Sequence, residues 1–205
     1  MNRQQVIAPH SEIREVLFDV SGSTLPTAYQ FGLWEELFRI VPQLGEYEHV
    51  GVLPLRTAAS NEGMLLPKRA KLVLRIPPVL VVDVCDLAHK EINIMGVTLQ
   101  LGSCKIRPLH PSPTLHSELV TGAEDEIVFM AHIGSDLATL GIKSKLICGR
   151  RQIINGSDRS IIGYSLVLHD LTPEDSLRIQ YLGLGEERKL GCGVFVPYKN
   201  ISGLN

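Results

Sequence analysis

Glycines and cations are concentrated in one short segment near the end of the chain. Residues 183–193 read GLGEERKLGCG. Glycine allows backbone amides to approach a phosphate closely, and a concave run of N–H groups forms an anion site. The segment is therefore a candidate phosphate-binding loop, and a glycine-rich turn needed only for tight packing is the alternative. Its candidate binding residues are Gly183, Gly185, Gly191, Gly193, Arg188 and Lys189.

Two well-known phosphate-binding loops do not match this segment. A dinucleotide fingerprint runs from a strand through a glycine loop into a helix, whereas the pattern here predicts a helix before the loop and a strand after it. A P-loop needs Gly-Lys followed by Ser or Thr, and residues 183–193 contain no such sequence. Neither of these two nucleotide-binding classes is indicated.

A second group of cations lies earlier in the chain. Lys143, Lys145, Arg150 and Arg151 occur with no acid in that interval. On a strand, Lys143 and Lys145 share one face, and Arg151 has the same parity unless a bulge intervenes. Such a strip can follow the phosphates of a nucleic acid, and arginine suits a bidentate phosphate contact.

The remaining charged and titratable residues give weaker signals. Residues 68–75 form another basic run, for which an exposed strand edge protected by lysine is at least as good an explanation. His110 and His116 flank the proline-rich segment 111–113, where a binding cleft between two halves could open; exposed linker histidines are the alternative. No Cys or His occurs at zinc-ligand spacing, so we predict no metal site and no cofactor.

The composition is that of a folded globular protein. The chain has 205 residues, of which 44% are hydrophobic and 20% charged, with a formal net charge of −2. A nucleic-acid site must therefore be a local basic patch on a nearly neutral body. The four scattered cysteines predict thiols in a reducing compartment. With no signal-peptide pattern and no apolar run long enough to span a bilayer, we expect a cytoplasmic protein.

The first half of the chain has periodicities that predict the order β-α-β-β-α-β. Aromatic residues recur at helical spacing after Pro26 and predict the first helix. The valine-rich stretch 79–89 is ambiguous between strand and helix, although this order requires a helix there. The predicted strands are 16–20, 50–55, 70–76 and 92–101.

The second half repeats the same order more clearly. Acidic residues 124–126 begin one helix, and Thr172 followed by Pro173 begins the other. The predicted strands are 115–121, 143–154, 160–169 and 194–196, with a hairpin turn at Asn155-Gly156. We therefore predict an α+β fold of two tandem ferredoxin-like (βαββαβ, RRM-like) domains. The predicted domains are 1–107 and 114–205, the second carrying the glycine-rich loop, and one α+β domain with irregular insertions is the alternative.

Five segments of the chain resemble a known protein family. They are 20–26 (VSGSTLP), 107–115 (RPLHPSPTL), 149–151 (GRR), 171–178 (LTPEDSLR) and 190–197 (LGCGVFVP). Together they resemble CRISPR-associated protein six, the repeat-RNA endoribonuclease of the repeat-associated mysterious protein superfamily, in its myxococcal-type subtype. The glycine loop with its Phe-Val-Pro ending is the most specific of these segments.

This resemblance implies a function and a set of partners. It implies cleavage of CRISPR precursor RNA within its repeats and retention of the guide RNA. It also implies delivery of that RNA into a multi-subunit effector complex. Target DNA would be contacted only through that complex, and no membrane partner is implied. Arg107, His110 and His116 join the basic strip and the glycine loop as candidate RNA contacts. By the resemblance, the strand of Gly149-Arg150-Arg151 approaches the cleavage site.

Cleavage of RNA by its own 2′-OH requires no metal. The protein must align that oxygen with the phosphorus, move a proton and stabilise the phosphorane. The products would be a 2′,3′-cyclic phosphate and a 5′-OH. The family usually places a histidine near the start of the first helix, where this chain has Tyr29. A phenol with a pKa of about 10 is a poor base at neutral pH, but it can position the 2′-OH or protonate the leaving oxygen. We predict Tyr29 and Arg151 as catalytic residues; packing beside the aromatic stripe is the alternative for Tyr29.

Two other functions are compatible with the same residues. A non-catalytic or weakly catalytic subunit that holds repeat RNA in an effector complex is suggested by the missing histidine. A ferredoxin-like domain that binds a small molecule is the weaker possibility, because neither the basic strip nor the glycine loop requires it.

Overall fold

Two antiparallel sheets organise the chain. The computed structural model describes residues 13–60 and 63–198. The first half contains β1 (Arg14–Ser21), β2 (Thr24–Leu25), α1 (Tyr29–Ile40), β3 (Gly51–Val52), β4 (Ala58–Ser60), β5 (Gly63–Leu65), β6 (Ala70–Ile76), α2 (Val81–Cys85), β7 (Glu91–Ile94) and β8 (Val97–Pro108). The second half contains β9 (Thr114–Thr121), α3 (Glu126–Thr139), β10 (Lys145–Asn155), β11 (Ser160–His169), α4 (Pro173–Leu182) and β12 (Val196–Pro197).

The two halves have the same strand order. The first sheet runs β3-β6-β1-β8-β7 and the second β10-β11-β9-β12. Apart from the additional strand β7, each half places its first strand between its third and fourth, which is the ferredoxin-like arrangement. The predicted α+β fold class is confirmed. The domain bounds 1–107 and 114–205 stay a prediction.

Each sheet buries one face under its helices. In the first half Phe18 of β1 packs in one cluster with Leu33 of α1. In the second half Leu166 of β11 packs with Phe129 of α3 and Ile179 of α4. Burial of this apolar surface is the main force that holds helices on sheets. Within residues 13–60 and 63–198, no helix has both the length and the apolar character needed to cross a lipid bilayer.

Three local features differ from the sequence prediction. The predicted strand 92–101 is a hairpin, because Met95 and Gly96 adopt positive φ angles of 52° and 89° and turn the chain between β7 and β8. The ambiguous stretch 79–89 contains the short helix α2, which follows a 3-10 turn that begins at Pro78. A small sheet of order β2-β5-β4 occupies a region in which no strands were predicted.

Two of the four cysteines are joined. Cys85 of α2 and Cys104 of β8 form a disulfide with their Cα atoms 5.5 Å apart. The prediction of four thiols is therefore wrong for this pair, whereas Cys148 and Cys192 are free. The pairing depends on how α2 packs beside the sheet, which the spacing of the cysteines does not reveal.

A fully buried arginine connects the two halves. The side chain of Arg75 in β6 is 0% exposed, and its Nε donates to a Glu15 carboxylate oxygen at 3.0 Å. Its Nη1 donates to the backbone oxygens of Gln180 and Phe195 in the second half. The expectation that residues 68–75 form only an exposed basic edge is wrong for Arg75. Its contacts fix how the second half sits on the first sheet.

Replacement of Arg75 by alanine should destabilise the protein by about 3–5 kcal/mol, because Glu15 would remain as a buried charge and two carbonyl oxygens would lose their donor. Urea unfolding measures the effect. The control is Arg69→Ala, which removes an exposed cation and should change the free energy of unfolding by about 0.5 kcal/mol or less. A loss below about 1 kcal/mol for Arg75→Ala would contradict this role.

Candidate nucleic-acid interface

The second sheet has one face that its helices do not cover. On β11, Leu166 and Leu168 point into the helix-covered core, so Val167, between them, points to the opposite side. Cross-strand partners share a face, and the register extends this side across all four strands. We call it the C-terminal open face. Its members are Lys145, Ile147, Val167, His169, His116 and Val196.

Flat side chains are presented on this face. The ring centroids of His116 and Tyr198 are 5.5 Å apart, and 47% of Tyr198 and 54% of Ile147 are exposed. Burial lowers the pKa of His116 below its usual 6.5, so the imidazole is neutral at pH 7. A neutral ring beside an exposed phenol is suited to stack on an unpaired base, as aromatic residues on RRM-type sheets do.

Cations of the basic strip border the same face. Lys143, Lys145 and Arg150 are all exposed. The ammonium group of Lys145 lies 2.9 Å from a carboxylate oxygen of Asp170, which offsets part of its charge. Arg150 lies at a bulge in β10, because the register with β11 shifts between Cys148 and Arg151. The structure thus brings Lys145 and His116 onto one face and places the exposed Arg150 at the bulge beside it.

Arg151 is turned away from the other strip residues by this bulge. It pairs with Tyr164, whose ring lies in the helix-covered core, so its side chain is on the helix side. There its guanidinium lies 3.1 Å from Glu124, just before α3. The shared face of Lys145 and Arg151, predicted only for a strand without a bulge, is therefore not formed. A catalytic role for Arg151 stays a prediction, and this orientation argues against it.

A second uncovered face lies on the first sheet. Lys105 in β8 pairs with Leu17 in β1 and Lys71 in β6 pairs with Asp19, both on the side opposite the core residue Phe18. Arg107 is on the same side and donates to Glu15 at 2.6 Å. We call this surface the N-terminal open face. The second half covers its Arg75 end and leaves both lysines exposed.

Most of the glycine loop is packed inside the protein. Gly183, Gly191 and Gly193 are buried, and their N–H groups donate to the backbone oxygens of Ile179, Arg188 and Leu119. A Cβ added at Gly183 would lie 2.0 Å from the Arg188 guanidinium. Gly185 is exposed. This geometry favours the packing alternative over a phosphate cradle, since these three N–H groups are already bonded.

The two cations of the loop have different surroundings. Arg188 is buried, and its Nη2 donates to the His49 carbonyl oxygen at 3.3 Å. Burial lowers its pKa to about 10, so it stays charged at pH 7. Lys189 lies over the Trp34 ring, 5.1 Å from the centroid, in a groove of about 420 Å³ between α1 and the β10–β11 turn. Only Lys189 is placed where an RNA could reach it.

Tyr29 belongs to the core of the first half. Its ring is 2% exposed, and its hydroxyl donates to the Leu55 carbonyl oxygen at 3.2 Å. Burial raises the pKa of the phenol well above its usual value. A catalytic contact of Tyr29 stays a prediction, and this burial argues against it. His110 is exposed in the linker, where its carbonyl oxygen accepts from the side chain of Gln180.

Comparison with known proteins identifies the family. The family model described as Cas6 Crispr matches residues 15–200 of the chain. The chain belongs to the Cas6 family. A protein of Myxococcus xanthus (strain DK1622) named CRISPR-associated endonuclease Cas6 is 35% identical over 185 residues, which cover 89% of this chain and 80% of that protein. The resemblance predicted from the five sequence segments is confirmed.

Solved structures share the fold at low sequence identity. A CRISPR-associated protein Cas6 superposes with a TM-score of 0.61 at 10% identity, over 92% of this chain and 100% of the other. A Cas6-related protein from Pyrococcus furiosus gives the same TM-score at 14% identity over 93% and 99%. A CRISPR endoribonuclease Cse3 bound to a 19-nucleotide RNA gives 0.52 at 13% identity over 90% and 98%.

Several residues of this Cas6-family interface were not predicted from the sequence. Lys105 and Tyr198 lie on or beside the open faces, and Trp34 lines the groove with Lys189. Lys105 could not have been found by alternation, because it has the parity of the buried Leu99 and Leu101 and reaches the open face only through the register shift between β1 and β8. The position of Tyr198 depends on β12 pairing with β9, which no local pattern indicates.

Replacement of Gly183 by alanine should destabilise the protein by about 1–3 kcal/mol more than Gly141→Ala does. Both glycines have positive φ angles, 72° and 67°, but a Cβ at Gly141 meets nothing within 4 Å. The excess loss at Gly183 therefore combines the collisions with the Arg188 guanidinium and the Gly193 carbonyl oxygen with the strain of a backbone that has ψ −172°, a region populated almost only by glycine. Equal unfolding free energies for the two variants would contradict the packing role of the loop.

Proposed function

We propose that this Cas6-family protein is an endoribonuclease that cuts CRISPR precursor RNA within its repeats, without a metal ion, and keeps the guide RNA bound. The observation that supports this most directly is the C-terminal open face, which carries the tilted His116–Tyr198 ring pair and is bordered by exposed cations. Support also comes from the Myxococcus relative, which is named as an endonuclease. A related fold occurs in an endoribonuclease solved with bound RNA.

The chemistry follows from the substrate. The 2′-OH attacks the adjacent phosphorus, the bond to the 5′-oxygen breaks, and a 2′,3′-cyclic phosphate and a 5′-OH result. The protein supplies alignment, proton transfer and charge stabilisation. Because A-form RNA hides its base edges in a deep major groove, we expect selection by hairpin shape and by unpaired nucleotides.

We infer the partners and location from the family. The product RNA would stay on the open faces and enter a multi-subunit effector complex in the cytoplasm, and target DNA would be reached only through that complex. Retention requires slow dissociation of the product, which a surface that combines cations with aromatic stacking favours.

In EDTA the protein should cut its cognate repeat RNA once per repeat, because the substrate carries its own nucleophile. The upstream product should end in a 2′,3′-cyclic phosphate, which mass spectrometry distinguishes from a 3′-hydroxyl or 3′-phosphate. A repeat with a 2′-deoxy nucleotide at the cut is the matched control and should stay intact. A strict need for magnesium, or cleavage of the deoxy control, would contradict the mechanism.

A second candidate is a subunit that holds repeat RNA without cutting it. Burial of Tyr29 favours it, since no exposed base then occupies the position where the family usually has a histidine. Tight repeat binding with no product in the same assay would establish this candidate.

Loss of a cation from either open face should weaken the binding of repeat RNA and reduce the salt dependence of that binding. Lys105→Ala and Arg150→Ala should each reduce the slope of log K against log[salt] by about 0.7–0.9, since one phosphate contact is lost. Titration by fluorescence anisotropy at several salt concentrations measures this. Lys90→Ala removes an exposed cation from the α2–β7 turn and should leave the slope unchanged. Equal slopes for all three variants would remove the open faces from the interface.

A further inference from the structure

A bulge in β9 exposes an acid at the junction of the two halves. The register with β11 places Tyr164 opposite Val120 and Leu166 opposite Ser117. The chain therefore advances three residues along β9 where it advances two along β11. A bulge changes the direction of a side chain and is common beside active sites. Here Leu119 packs into the apolar cluster with the glycine loop, whereas Glu118 is exposed.

Neighbouring elements hold this acid in place. The Gln152 side chain of β10 donates to the Glu118 carbonyl oxygen at 2.8 Å, and Gly193 of the glycine loop donates to the Leu119 carbonyl oxygen at 2.7 Å. The loop in turn lies against the first half, since a Cβ at Gly191 would come within 3.0 Å of Pro54. The segment that contains Pro54 is thereby docked beside the bulge.

Arg56 is the cation that this docking brings to Glu118. It follows Leu55, whose carbonyl oxygen accepts from the buried Tyr29 hydroxyl. Although the Glu118 side chain is exposed, the protein around it desolvates the carboxyl and raises its pKa, while the charge of Arg56 acts in the opposite direction. Burial is the main cause of the raised pKa of Tyr29, and the negative charge of Glu118 raises that pKa further. Glu118, Arg56 and Tyr29 therefore form one electrostatic cluster, with Gln152 as its neutral neighbour.

We propose that Glu118 is the general base of the cleavage and that Arg56 binds the scissile phosphate. The Glu118 carboxylate accepts the proton of the 2′-OH as the 2′-oxygen bonds to phosphorus. The bond from phosphorus to the 5′-oxygen then breaks, and that oxygen takes a proton from water. Arg56 stabilises the charge of the phosphorane, and Glu118 later returns its proton to solvent. This assignment rests on the proposed endoribonuclease function.

The cluster also assigns a positioning role to Tyr29. Its hydroxyl holds the Leu55 carbonyl and thereby places Arg56, without contact with RNA. The start of α1 thus contributes to the reaction through a cation on the next segment of the chain.

Glu118→Gln should slow single-turnover cleavage of the cognate repeat by about 10²–10⁴-fold, with unchanged RNA affinity and thermal stability, because the isosteric amide cannot accept the proton. The rate of the unaltered protein should rise with pH as the carboxyl ionises and then level off, and this rise should be absent in the variant. Arg56→Ala should slow cleavage by about 10²-fold, and Arg56→Lys should recover part of the rate. Glu91→Gln, an exposed acid in β7, is the control with unchanged rate.

A substrate with sulfur in place of the 5′-oxygen at the cleavage site distinguishes a general base that acts on the 2′-OH from a general acid that protonates the leaving oxygen. A thiolate leaves without a proton, so the Glu118→Gln defect should persist if Glu118 acts on the 2′-OH. If the defect disappears on this substrate, Glu118 is not the base. If the Glu118→Gln variant cleaves normal repeat RNA at the rate of the unaltered protein, the assignment of Glu118 as the base is overturned, while the proposed function stands. No cleavage by the unaltered protein would overturn the proposed function and the assignment with it.

Discussion

The buried Arg75 contact is the constraint from which the interface follows. A guanidinium with no exposure must have its donors satisfied, and here its partners are a carboxylate on β1 and two backbone oxygens of the other half. The two sheets therefore cannot rotate freely about the short linker between β8 and β9. Glu15 also accepts from Arg107, so the same carboxylate holds a half-exposed cation on the N-terminal open face. One ionic group thereby fixes both the junction and a member of the candidate interface.

The junction between the two halves also contains a second buried arginine, whose hydrogen-bond donors are only partly satisfied. Arg188 is also buried, and the charge of Arg75 contributes, after burial, to its lowered pKa. Of its nitrogen atoms, Nε and Nη1 have no hydrogen-bond partner among the described residues. Two features offset the cost of burying the partly unsatisfied Arg188 guanidinium. Gly183 leaves space for it, and Leu190 and Cys192 bury apolar surface against Leu119. The glycine loop is thus a packing element whose position orders the β9 bulge.

The order of elements was predictable because each half repeats the same pattern of period-2 and period-3.6 segments. The candidate site was predictable only in part. Lys143, Lys145 and Arg150 are exposed as expected, because a run of cations without acids has no reason to be buried. The side of Arg151 was not predictable, since the bulge in β10 is a tertiary feature. Burial of Arg75 and Tyr29 depends on contacts between segments far apart in the sequence, which no local pattern contains.

Distribution of charge on the second half favours RNA on the open faces. The helix side has a groove of about 840 Å³ whose lining includes Glu124, Asp136 and Glu186, and the arginine in that lining, Arg159, is paired with Glu187. A polyanion would be repelled there, whereas Lys145 lies on the open side of the sheet and the exposed Arg150 lies at the β10 bulge beside it. A protein with a net charge of −2 can therefore still orient RNA, because acids dominate the helix-side groove while exposed cations border the other side of the sheet. The exposed Glu118 at the β9 bulge, proposed above as the general base, adjoins strand β10 of this cationic side, since the Gln152 side chain donates to its carbonyl oxygen.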